Sequence, residues 1–111
     1  MAKDDYFVIV YKLLKYLYEC IKKSKPVSMD VIDADYFGIE KLYWEYIITN
    51  LSMDGYITGV NLIPIQGKLD KGVKISSSIK ITPKGILYLE ENSVFNKVKE
   101  IVKDISDIIP L

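Results

Sequence analysis

The sequence predicts an α+β fold that is mostly helical. Three observations carry this. Apolar residues recur at steps of three and four through residues 4–24 and 39–54, the repeat of a helix with one buried face. Between 56 and 81, β-forming residues flank a glycine-containing turn, and the second flank alternates apolar with polar, as a half-buried strand does. A further apolar series at steps of four, three, four and three closes the chain at 94–109. With 111 residues, half of them hydrophobic, the chain can bury one core and forms a single domain over 1–111.

The first helix is expected at about 4–24. Tyr6, Val10, Leu13, Leu17 and Cys20 form its stripe, and Ile9, Leu14 and Ile21 widen it. Lys12, Lys15, Lys22 and Lys23 are expected on the wet face, and Pro26 ends the segment. Ser28 and Asp30 can cap a short helix at about 29–34. Asp35 then offers a second capping oxygen, and Gly38 breaks the run. The third helix, 39–54, buries Trp44, Ile47, Ile48 and Leu51, with Gly55 as its stop. The hairpin follows at about 56–81. Its tip is Gln66–Gly72, and Val73, Ile75, Ser77, Ile79 and Ile81 are expected on one dry face, against Lys74, Ser76, Ser78 and Lys80. Thr82 and Pro83 start a fourth helix, 83–92, as N-cap and first helical residue. Asn92-Ser93 separates it from the last, 94–109.

Helix, short helix, helix, two-stranded hairpin, helix and helix is the order of a winged helix-turn-helix: three helices and a β wing, with a C-terminal helical extension. Asp54-Gly-Tyr-Ile57, Ile81-Thr-Pro-Lys-Gly85, Leu89-Glu-Glu-Asn92 and the Lys/Ile-rich terminal helix resemble the YjcQ-like proteins, small winged-helix proteins of Gram-positive bacteria and their phages. The resemblance runs from the first helix to about Ile108. It implies the fold and no settled activity. The wing near 62–76 is longer here, so wing contacts do not carry over.

Composition removes most chemistry. All fifteen basic residues are Lys; His and Arg are absent, and Cys20 is the single cysteine. There is no imidazole for acid–base work or metal binding, no guanidinium fork for phosphate or guanine, and no internal disulfide. The acidic pairs Asp4-Asp5, Asp33/Asp35 and Glu90-Glu91 lack the enclosed setting that raises a carboxyl pKa. No catalytic residue, metal site or cofactor is expected. Lys12, Lys15 and Glu19 break the apolar run 6–21, so no membrane span is expected. A free cysteine and no export signal point to the cytoplasm.

Charge is unevenly placed. Residues 28–54 hold six acids and one Lys, whereas 55–85 hold five Lys and one acid. A DNA reader gathers positive charge where it meets phosphate, so the expected recognition helix is poorly suited and the wing better suited. Lys68, Lys71, Lys74 and Lys80, with Lys41 on the helix, are the candidate nucleic-acid contacts. The same lysines also suit protection of an exposed hairpin edge. Tyr43, Tyr46 and Thr49 mark the outer face of the third helix, as a surface for nucleic acid or protein or as cover for the core edge. Val98, Ile101, Ile105 and Ile108 suit either a homodimer or packing on the first helix. Two functions follow: a DNA-associated regulatory or accessory protein making salt-sensitive wing contacts with duplex DNA, or a protein-interaction module that does not bind DNA.

Overall fold

The first helix, α1 (Tyr6–Lys22), has no exposed side over two turns of its first half. Seven consecutive residues, Val8 to Leu14, are all buried. At 3.6 residues per turn such a run points in every direction. The computed structural model describes residues 4–64 and 71–92. Among them the remaining elements are α2 (Ala34–Phe37), α3 (Lys41–Met53), β1 (Ile57–Pro64), β2 (Lys71–Ile81) and α4 (Pro83–Glu91). The fold is α+β and mostly helical, with four helices and one two-stranded antiparallel sheet among these residues.

Lys12 departs from the expected pattern. It is fully buried rather than on a wet face. The apolar spacing identifies the driest side of α1 but does not reveal that the opposite side is covered too. Burial takes its ammonium as well as its four-carbon stem out of water, an environment that favours a charge only when it is partnered. Solvent reaches α1 at Phe7 and again from Lys15 onward, where Lys15, Lys22 and Lys23 converge on Glu19 at 3.6, 2.9 and 3.6 Å. Bonding to Lys22 and the neighbouring lysine charges hold the Glu19 carboxyl below its ordinary pKa, against the opposing effect of burial.

The short helix lies later than 29–34. Residues 29–33 form turns and bends, and α2 covers 34–37. Asp33 is the cap, its carboxylate accepting from the Asp35 N–H at 3.3 Å, and Gly38 closes the helix at φ 69°. Ser28 does not cap a helix here; its N–H donates to the Tyr16 hydroxyl at 2.8 Å. Phe37 stacks on Trp44 with ring centres 5.4 Å apart, which docks α2 on α3. Trp44, Ile47, Ile48 and Leu51 are buried as the spacing predicts.

The hairpin contains an irregularity that the alternation did not foretell. Ile57 pairs with Ile81 and Thr58 with Lys80, but Val60 pairs with Ile75. Gly59 alone therefore spans Ser76 to Ile79 of β2, a bulge that re-aims side chains. Ser77, expected on the dry face, is exposed, while Ile79 and Ile81 are buried. Beyond the bulge, pairing is regular to Pro64 and Lys71.

The base of the hairpin is clamped. The Thr82 hydroxyl accepts from the Gly85 N–H at 3.2 Å and donates to the Gly55 carbonyl. The Thr82 N–H donates to the Tyr56 carbonyl at 3.0 Å. The end of α3, both strand ends and the start of α4 thus meet in a few residues. The expected terminal helix at 94–109 lies outside the described residues.

Candidate functional site

On α3, Leu42, Tyr46, Thr49 and Met53 stand at i, i+4, i+7 and i+11, one line along a helix. This line faces away from Trp44, Ile48 and Leu51. Leu42 is 72 % exposed, Tyr46 62 % and Met53 66 %; Thr49 is half-buried. Phe7, 64 % exposed on the first turn of α1, extends the surface. Tyr6 joins the two helices, edge-on to Phe7 at 5.1 Å and to Tyr46 at 6.1 Å. Large apolar side chains scattered singly over a surface are ordinary, but aligned ones mark a contact face.

Tyr43 sits beside this line, half-buried against the core. Its hydroxyl donates to the Asp4 carbonyl at 2.8 Å, fastening the approach to α1 onto α3. Burial pushes the Tyr6 phenol above its ordinary pKa, and Tyr46 and Asp54 add to this. Tyr43 is raised by burial and then by Asp4 and Asp5. Both rings therefore stay neutral near pH 7 and present a hydroxyl rather than a charge.

Acids border the line: Asp4 and Asp5 before α1, Glu40 and Glu45 at the start of α3, and Asp54 at its end. Glu45 is half-buried and the other four are exposed. Two cations stand among them. Lys41 is exposed next to Glu40. The Lys84 ammonium donates to the Asp54 carbonyl at 2.7 Å and lies 5.1 Å from the centre of the Tyr56 ring.

The hairpin carries the other candidates. Lys74 and Lys80 are exposed on β2, opposite Asn61 and Thr58, on either side of the bulge. Lys41 is not gathered with them. It starts α3, whereas the hairpin leaves the end of that helix, so the length of this 13-residue helix, about 20 Å, separates Lys41 from the hairpin base. The Lys71 backbone pairs with Pro64; its side chain, Lys68, and the dimer candidates Val98, Ile101, Ile105 and Ile108 lie outside the described residues.

Leu42, Met53 and Phe7 were missing from the sequence-derived surface. Their signal is present as the 42–46–49–53 spacing. It is masked because the Trp44–Ile48–Leu51 series already accounts for the helix as a core element. Among the described residues, no three His, Cys, Asp or Glu side chains gather as a metal site. No described helix is long and apolar enough to cross a membrane.

A search of curated proteins and a search of solved structures give no match. A family model described as YjcQ protein matches residues 11–108, from the buried run of α1 through the hairpin and α4 and beyond. Covering most of the chain and its three-helix and hairpin order, that match shows that the chain belongs to the YjcQ family.

Proposed function

We propose that this chain is a winged-helix domain whose third helix docks a protein partner. The order of α1, α2, α3 and an antiparallel hairpin supports the winged-helix reading. One observation carries the docking reading: the outward line of α3 is Leu42, Tyr46 and Met53, all more than half exposed. A helix that reads a DNA groove needs donors and positive charge, and Lys41 is the only cation in α3. The acids around the line select the partner's chemistry. A helix with its own apolar face, flanked by lysines, matches both the surface and its charge.

The test uses a synthetic amphipathic helix with leucines on one face and lysines on the others. It is expected to shift the amide signals of Leu42, Tyr46 and Met53. Joint Leu42→Ala and Tyr46→Ala substitution is expected to weaken binding about tenfold or more, since aromatic anchors carry much of such an interface. A peptide with glutamates in place of lysines should bind more weakly. Equal binding of the two peptides, or shifts confined to the hairpin, would overturn the reading.

A second reading is favoured by the exposed Lys74 and Lys80 on β2: salt-sensitive contact of the wing with duplex DNA. Three or four lysine–phosphate contacts give a log K against log salt slope of about −3 to −4. Replacing Lys68, Lys71 and Lys74 together by Ala should remove most of that slope. Loss in Lys41→Ala alone would instead make α3 the reader, and no binding at low salt would leave the docking reading standing.

A further inference from the structure

A groove of about 340 Å³ opens between the C-terminal end of α1, the segment after it and the bulged part of β2. Its size is that of a small-molecule site. Leu17, Cys20, Ile21, Val27 and Ile79 supply apolar lining, of which Leu17, Cys20 and Ile79 are buried. Lys25 and Lys80 line the same groove and are exposed. The turn at Ser24, with φ 53°, and the Lys25 N–H bond to the Cys20 carbonyl at 2.9 Å bring the Lys25 backbone back against the end of α1. The bulge opposite Gly59 takes Ser77 out of the dry face while keeping Ile79 in the core. That offset shapes the β2 side of the groove.

The charges here differ from those farther up α1. Lys15, Lys22 and Lys23 are all engaged with Glu19. Among the described residues, Lys25 and Lys80 take part in no ion pair, and the groove has no acidic residue in its lining. An apolar cleft with two lysines and no carboxylate is complementary to an anion that carries an apolar body.

We propose that this groove binds a small carboxylate with an aliphatic tail, the tail against Leu17, Ile21, Val27 and Ile79 and the carboxylate between Lys25 and Lys80. The site is separate from the α3 face and does not depend on the docking reading. Cys20 is the chain's only thiol and is buried in the lining, so its alkylation reads opening of the groove, which a bound tail should suppress.

Octanoate, below its micelle-forming concentration, is the probe, with octyltrimethylammonium as the same tail under opposite charge. Octanoate is expected to shift the amide signals of Cys20, Ile21, Val27 and Ile79 and to slow alkylation of Cys20 by N-ethylmaleimide. The ammonium compound should do neither at equal concentration. Joint Lys25→Gln and Lys80→Gln substitution, at exposed positions that leave the core untouched, should weaken octanoate about tenfold, the order expected for losing charged hydrogen bonds. Equal effects of the two compounds, or unchanged octanoate affinity in the double variant, would overturn the anion site. No shift and no protection with octanoate would overturn the groove as a ligand site altogether.

Discussion

Gly59 and Ile79 approach across the hairpin so closely that a Cβ on Gly59 would stand 2.6 Å from the Ile79 Cα. The glycine also adopts φ 85°, a region that L side chains rarely enter. Gly59→Ala is therefore expected to be destabilising by about 1–3 kcal/mol from backbone conformation alone, with the steric clash added. Gly38 has a similar φ of 69° but open space around its Cα, so Gly38→Ala should cost only about 1–2 kcal/mol. Urea midpoints of the two variants check the order; an equal loss in both would mean that the bulge relaxes freely.

Gly85 should invert an ordinary trend. Inside a helix, Gly to Ala normally stabilises by about 0.8–1.0 kcal/mol. Here a Cβ would meet the Tyr56 carbonyl oxygen and the Ile81 side chain, so Gly85→Ala is expected to destabilise. Thr82→Ala should cost about 1 kcal/mol through the lost cap, and Thr82→Ser should recover most of it. Thermal unfolding of the three variants reads the signs.

Two leucines of α3 should behave oppositely. Leu51 is buried in the core, and Leu51→Ala is expected to cost about 2–5 kcal/mol through lost burial and a cavity. Leu42 is largely exposed, and Leu42→Ala should stay within about 0.5 kcal/mol. Denaturant titration that ranks them the other way would place α3 in a different rotation.

Glu19 gives a pH dependence with a defined sign. Its folded-state pKa is depressed, so its contribution is fully present above the unfolded value of about 4.3 and is lost as pH falls through the folded value. Stability should drop over that acid range in the native chain and drop less in Glu19→Gln. Urea midpoints at pH 7 and pH 3 measure the difference.

Helix existence was legible because α1 and α3 carry long periodic series that burial enforces. The stretch 28–38 was harder. It offers several capping oxygens, Ser28, Asp30, Asp33 and Asp35, and the burial of Ile32, Ala34 and Phe37, a tertiary effect, decides among them. The bulge was invisible for a related reason: Ser77 fits an alternating pattern numerically, and only the fixed pairs at Thr58–Lys80 and Val60–Ile75 force it outward. Of the candidate surface, Tyr46 was readable as outward-facing. Leu42 and Met53 were not, because an apolar residue on a helix reads first as core, and the surplus shows only when the buried side is already complete.

The absence of a wet side on α1 between Val8 and Leu14 bears on how this family can diverge. An ordinary surface helix offers about every second residue to neutral drift. Here seven neighbouring codons each specify a packed side chain, so a change at one is felt by the rest of the interior. Variation among relatives should thin out over this stretch and collect at its exposed end near Lys22, and a homologue that alters Lys12 should carry a compensating change elsewhere in the interior.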